Sequence, residues 1–290
     1  MEIIRKSFIA LSMLVMTCAA AAMPKVYDIS SPDGTLSAQV SVDQGKITWS
    51  VTKEGNLVLS PSEIAMQLAD GTAYDGAVKL QKTIRSAVDN VLDAPFYKKS
   101  QVKEAYNQLQ LRFKTFDLEF RAYDAGVAYR FVSKSKVPFK VAGETARFAF
   151  PEDWMMYVPY VCQHTETLES QFYSSCENRY EHTPLSQWNK ERIAFLPIMV
   201  ETPQGYKINI MESDLLNYPG MYLYNSDADS VLEARYAPYP KDIKQGGHNS
   251  LQGVVQTRED YLAKYDGAVS FPWRILSVSV QDKEMLDNDL

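Results

Sequence analysis

Histidine and cysteine are scarce in this chain of 290 residues, at three each, and no pair of them has the spacing of a metal-ligand motif. This argues against a structural zinc site of the Cys/His kind. A G-x-S-x-G elbow, an H-E-x-x-H helix, a P-loop and a G-x-G-x-x-G turn are also missing, so the chemistries they carry have no support. No basic run stands out and the net charge is −6, which argues against nucleic acid or an anionic membrane surface as partner. No internal repeat, low-complexity tract or linker divides the chain. A sustained 3.6-residue apolar period is lacking; residues 98–108 are the one stretch read as a short helix.

What is present is β-sheet material. Hydrophobic residues make up 46% of the chain and aromatic residues 12%, with 18 Tyr. Aromatic side chains favour strands, and Tyr joins an apolar face to a polar tip. After the turn signature Ser31-Pro32-Asp33-Gly34, the residues Leu36, Ala38, Val40 and Val42 alternate with polar neighbours, as a half-buried strand requires. Gly45 breaks the run, Ile47, Trp49 and Val51 resume it, and Lys53-Glu54-Gly55-Asn56 makes the next turn. Short strands are predicted at 57–59, 64–68, 109–113, 116–120, 127–131, 146–150, 193–200, 206–211, 221–224, 231–236 and 275–280. Strands recurring at intervals of roughly 8–12 residues imply an all-β sandwich. Residues 162–190 and 241–253 read as long irregular segments, a feature often tied to function. Residues 23–290 are read as one domain.

The first 22 residues have the form of a secretory leader. Arg5 and Lys6 supply the positive end, residues 8–16 the apolar stretch, and Ala19 to Ala22 the small residues for cleavage. The apolar stretch is too short to span a membrane as a helix. Export to the periplasm or the exterior is expected, with a mature start near Met23. Cys18 offers a lipoprotein alternative, but Met16 and Thr17 stand where a lipobox has small residues. Past the leader only Cys162 and Cys176 remain. An oxidising compartment permits a disulfide between them; two separate buried thiols are the other reading.

Several short blocks, in order, resemble glycoside hydrolase family 97. After Ser31-Pro32-Asp33-Gly34 comes Lys103-Glu104-Ala105-Tyr106-Asn107-Gln108-Leu109, with Gln108 where that family's Y-N-E-L block has Glu. Residues 121–131 (RAYDAGVAYRF) are similar to its R-x-Y-D-D-G-x-x-F-R-Y block. Phe150-Pro151-Glu152-Asp153, Glu177-Asn178-Arg179-Tyr180-Glu181, residues 212–221 (ESDLLNYPGM) and Pro272-Trp273-Arg274 complete the series. Each block is weak alone; their order over essentially the whole mature chain makes the match specific.

The resemblance implies an N-terminal β-super-sandwich followed by a (β/α)₈ barrel and a small C-terminal sandwich. It implies a calcium-dependent exo-acting α-glucosidase or α-galactosidase acting on oligosaccharides, whose catalytic carboxylates lie on the barrel. This chain shows no strand–helix alternation of barrel type. It is expected to stop before the barrel and to hold no catalytic residue, and its own barrel would be its partner. The resemblance further implies that Glu177 reaches across the domain interface as a calcium ligand, with Glu181 as competitor. Calcium takes 6–8 oxygens, so weak or absent binding by this chain alone is expected. The rival reading is a stand-alone secreted sandwich that binds carbohydrate without catalysis. A mutarotase-like enzyme would need a His-based acid–base pair, for which three scattered His give no support.

Other residues have competing roles. Trp273 and Arg274 read as a core aromatic and an ion-paired neighbour in preference to pocket walls. Glu212 and Asp214 read as exposed carboxylates facing the barrel or as turn caps. Tyr157, Tyr160 and Tyr173 read as packing residues in preference to sugar platforms, Asn107 as a turn or strand-end residue, and His164 and His182 as loop histidines. Substrate-binding residues are left unassigned.

Overall fold

The computed structural model describes residues 23–43, 45–162, 166–173, 177–225 and 230–289. The expected leader, His164 and Cys176 lie outside the described residues, and with Cys176 the disulfide alternative.

The described residues form two large antiparallel sheets facing each other. The first runs, edge to edge, through Lys25–Ser30, Leu36–Asp43, Lys46–Lys53, Asn56–Leu68, Phe139–Ala149, Val231–Arg235 and Tyr222–Tyr224, with Ala73–Tyr74 and Ala263–Tyr265 attached at the side. The second runs through Glu181–Pro184, Met155–Val158, Ile198–Glu201, Lys207–Ser213, Trp273–Ser279, Gly126–Ser133, Phe116–Tyr123, Gln101–Phe113 and Leu80–Asp93, with Val269–Ser270 beside Gly126–Ser133. Pro240–Gly246 and Gln252–Arg258 make a separate hairpin. Two short α-helices, Leu168–Gln171 and Asp282–Leu286, complete the elements together with two single 3₁₀ turns. The all-β class and the sandwich follow as the alternation predicts.

The alternation fixes which face is buried. Leu36, Ala38, Val40 and Val42 point inward while their neighbours are half-buried or exposed. The turn joining Lys46–Lys53 to Asn56–Leu68 has Glu54 at φ +52° and Gly55 at φ +82°, the two left-handed residues of a hairpin turn whose twist matches its strands. Trp49 sits at the centre of the core, 1% exposed. Its ring meets Tyr129 at 5.3 Å and Phe120 at 6.0 Å from the second sheet, and Phe148 at 6.3 Å from its own. One continuous apolar cluster joins the two sheets.

The structure departs from the sequence reading in several places. The strand expected at 193–200 is confined to Ile198–Glu201, and the segment 162–190, read as irregular, contains Leu168–Gln171 and Glu181–Pro184. Residues 57–59 and 64–68 belong to one strand, Asn56–Leu68, which carries Pro61 through an irregular pairing with Lys46–Lys53. Residues 98–108 form no helix: the strand Gln101–Phe113 pairs along its length with Leu80–Asp93, and its second half pairs with Phe116–Tyr123. Helix-favouring Lys103, Glu104 and Ala105 yield there to the partner strand, because tertiary pairing overrides local propensity. Residues 241–253 are mostly a hairpin and not an irregular loop. Leu80–Asp93 escapes a reading by alternation because nearly all of it is exposed.

Candidate functional site

Every residue of the strand Trp273–Ser279 is buried. The strand lies between Lys207–Ser213 and Gly126–Ser133, so its side chains alternate between the inter-sheet core and the outer face of the second sheet. Trp273 and Ile275 face outward and form a small second cluster with Ala128 and Met211. The Arg121 and Arg130 guanidinium groups lie 4.7 and 4.3 Å from the Trp273 ring centre, within cation–π range.

Arg274 faces inward and is 1% exposed. Its Nε and Nη2 donate to both carboxylate oxygens of Glu144 across the sandwich, at 2.8 and 2.7 Å, and its Nη1 donates to Glu212 Oε2 at 2.6 Å. Tyr236 and Tyr218 set their rings 5.2 and 5.7 Å from the guanidinium. Burial pulls the Arg274 pKa down, but Glu144, Tyr236 and Glu212 outweigh it and hold the group above its usual value. Burial pushes the Tyr129, Tyr218 and Tyr236 phenols well above their ordinary value, and the Glu144 charge adds to the effect. Glu212 is raised above the ordinary 4.5 by burial, against the lowering effect of Arg274. One guanidinium thus stands between two carboxyl groups, giving this triad one more acidic group than basic.

Glu212 links the triad to a cleft. Its two oxygens accept the Met221 N–H at 3.0 and 3.1 Å, which fixes the turn through Tyr218, Pro219 and Gly220. The cleft beyond it has a volume of about 830 Å³, inside the 300–1,000 Å³ range of small-molecule sites. Phe172 and Phe195 lean on Tyr222 at 5.4 and 5.3 Å to make an aromatic wall. Tyr239 and Tyr265 stand among the other lining residues, with Pro238, Pro240 and Leu262. The charged lining residues are Glu212, Asp266, Arg258 and Lys264, two of each sign. Arg258 is held by both oxygens of Glu169 at 2.7 and 2.8 Å.

The segment that follows Glu177 is tied to the sheet by two of its side chains. Asn178 Nδ2 donates to the Tyr160 carbonyl at 2.7 Å, and the Tyr180 hydroxyl donates to the Pro197 carbonyl at 3.4 Å. Phe195 and Leu196, just before Pro197, line the cleft. Glu177 is exposed and is not a lining residue. Glu181 is paired at 3.7 Å with Arg192. Among the described residues, no group of three or more His, Cys, Asp and Glu is placed to hold a metal ion.

The remaining expectations can now be placed. Trp273 is packed and Arg274 is ion-paired, as read. Glu212 is not an exposed carboxylate; it is a turn cap and a buried ion-pair partner, while Asp214 is half-exposed and lies 3.7 Å from Arg130. Tyr160 is buried against Trp188, Tyr157 stacks on His182 at 4.1 Å, and Tyr173 is exposed. Asn107 is neither a turn nor a strand-end residue: it sits inside Gln101–Phe113 and donates to the Ser30 carbonyl at 2.8 Å. Sequence reasoning missed Glu144, although inward-facing Ala146 and Phe148 on the same strand imply that residue 144 also points in. It also missed the cleft, although the 212–221 block supplies six of its lining residues, because the other walls come from separated segments.

Comparison with known proteins agrees with this architecture. The description of the glycosyl-hydrolase 97 N-terminal domain matches residues 29–290. A retaining alpha-galactosidase of Bacteroides thetaiotaomicron is 43% identical over 268 residues, covering 92% of this chain and 40% of that protein. A probable retaining alpha-galactosidase of Streptomyces bingchenggensis is 26% identical over 274 residues, covering 91% and 38%. A glycoside hydrolase family 97 enzyme from Pseudoalteromonas sp. strain K8, solved with acarbose, superposes with a TM-score of 0.71 at 19% identity, over 91% of this chain and 37% of that one. The chain thus spans about two fifths of the length of the curated relatives it matches. With a match over nearly all of its described length, and with the sandwich that such a match requires, the chain belongs to the glycosyl-hydrolase 97 N-terminal family.

Proposed function

We propose that this chain serves as the N-terminal sandwich of an exported, retaining α-glycosidase that releases terminal α-linked galactose or glucose from oligosaccharides. The observation that carries the reading is the 43% identity over 268 residues to a retaining alpha-galactosidase. Glycoside hydrolysis needs two carboxyl groups across the scissile bond, about 5–5.5 Å apart when configuration is retained. In this reading both belong to a barrel in the complete protein. The sandwich shapes one wall of the substrate pocket, with the Glu177 segment and the cleft rim as that wall. Its leader directs the protein out of the cytoplasm.

Glu177 is proposed as this chain's one ligand to calcium. An exposed loop carboxylate is a hard oxygen donor that meets the ion without losing an existing partner. Among the described residues no group of three or more His, Cys, Asp and Glu is placed to hold a metal ion, so Glu177 fits a shared site and not a site of this chain alone. When bound, calcium supplies electrostatic polarisation of the leaving group.

The test uses the product of the complete reading frame. Aryl α-galactoside and α-glucoside are offered, and the anomer first released is read by proton NMR; hydrolysis with the α-anomer appearing first is expected. An intact, folded protein that cleaves neither substrate overturns the reading. Calcium affinity by titration calorimetry is expected to fall at least about tenfold in Glu177→Gln, and an unchanged affinity removes Glu177 from the site. The aromatic wall of the cleft favours a second reading, carbohydrate binding by the sandwich without catalysis. Under it, this chain alone binds oligosaccharide and the complete frame cleaves none.

A further inference from the structure

The second sheet ends in a strand with an unused edge. Leu80–Asp93 pairs on one side with Gln101–Phe113, from Leu80↔Phe113 to Asp93↔Gln101, and no other strand among the described residues pairs with it. All fourteen of its residues are exposed or half-buried. Phe116–Tyr123 reaches only Asn107 on the neighbouring strand, so the far half of this hairpin extends as a two-stranded ribbon. Such a ribbon is marginal alone and its free edge is a template for another strand. Val91 is 62% exposed and Leu92 48% exposed, and the strand holds no proline to block pairing.

We infer that this edge joins a second copy of the chain, Leu80–Asp93 against Leu80–Asp93, antiparallel about a two-fold axis. Symmetry restricts the register. The axis must stand perpendicular to the sheet, and residues opposite each other must point to the same face. Opposed residue numbers therefore share parity, and one residue lies on the axis. Centring on Arg85 or Asp89 sets like charges against each other. With Ala87 on the axis, Arg85 stands opposite Asp89 of the second copy, twice by symmetry. Thr83 then faces Val91. A small residue at the axis, opposite charges flanking it and a β-branched pair beyond make a self-complementary face. In the single chain these charges are lightly engaged: Arg85 Nη1 donates to the Asp28 carbonyl, and Asp89 lies 3.9 Å from Lys103 with both side chains exposed.

Charge reversal tests the pairing in the full chain, with mass read by sedimentation equilibrium and light scattering over a concentration series. The wild-type chain is expected to approach twice the monomer mass. Arg85→Asp alone sets four acids along the seam, and Asp89→Arg alone sets four bases; each is expected to weaken association at least about tenfold. The Arg85→Asp, Asp89→Arg double variant restores the complement and is expected to restore the dimer. Unchanged circular dichroism in each variant separates dissociation from unfolding. A wild-type chain that stays monomeric throughout, single reversals without effect, or a double variant that remains monomeric would each overturn the inference. Because the readout is mass, its failure is distinct from any failure of the glycosidase reading.

Discussion

Arg274 of the second sheet and Glu144 of the first meet in a two-point ion pair between the sheets, at 2.8 and 2.7 Å, with both side chains at most 3% exposed. A carboxylate stripped of water is stable there only because a guanidinium of matching geometry satisfies both of its oxygens. Removing the cation by Arg274→Met leaves Glu144 and Glu212 facing each other unpaired. Urea unfolding is expected to show a loss of about 3–5 kcal/mol, and a loss below about 1 kcal/mol would show that the triad contributes little.

Glu212 adds a pH signature. Its raised pKa means that the folded chain binds this proton more tightly than the unfolded chain does. The associated stability is therefore full below the ordinary value of 4.5 and is lost as pH rises through the folded value. Glu212→Gln cannot titrate. The stability of wild type minus that of Glu212→Gln is expected to fall with increasing pH from 4.5 upward, as measured by urea melts across the acidic to neutral range. A difference that stays flat or climbs would contradict this.

The Tyr129 hydroxyl is buried with no hydrogen-bond partner among the described residues. A buried polar group without a partner costs stability, so its removal is cheap. Tyr129→Phe is expected to leave the unfolding free energy within about 0.5 kcal/mol of wild type or to raise it. A loss above about 1 kcal/mol would reveal a partner for the hydroxyl.

Gly76 packs beneath the turn joining Leu36–Asp43 to Lys46–Lys53. A Cβ placed there would collide with the Asp43 and Lys46 carbonyls and the Lys46 amide nitrogen. Those are backbone atoms of a paired hairpin and cannot swing aside as a side-chain tip does. Gly76→Ala is expected to cost about 1–3 kcal/mol in thermal or chemical unfolding. Gly34→Ala is a useful contrast, since nothing lies near its Cβ and only its φ of +74° opposes the change.

How far the fold was legible depended on how much each segment faces a single core. Leu36–Asp43 and Lys46–Lys53 alternate because one side is buried and the other wet, and both were read correctly. Leu80–Asp93 has little buried face and left no periodic trace. Residues 98–108 carry helix-favouring side chains whose pairing partner is a strand that itself could not be seen. Arg274 was legible as an ion-paired residue, yet its partner was not. Glu144 lies 130 residues away, and only the facing of the two sheets brings the pair together. The cleft was invisible for the same reason: Phe172, Tyr222 and Tyr239 share no spacing, only a place.

The charges around that cleft have a kinetic meaning. Glu212 and Asp266 line it together with Arg258 and Lys264, and two of these four are already answered from outside the lining, Glu212 by Arg274 and Arg258 by Glu169. A lining of mixed sign, half of it already paired, carries little of the one-signed field that steers ions. Association of a charged solute with this cleft is therefore expected to vary little with added salt. Any solute held there would be selected by contact, through shape against the aromatic wall and hydrogen bonds at the polar edge.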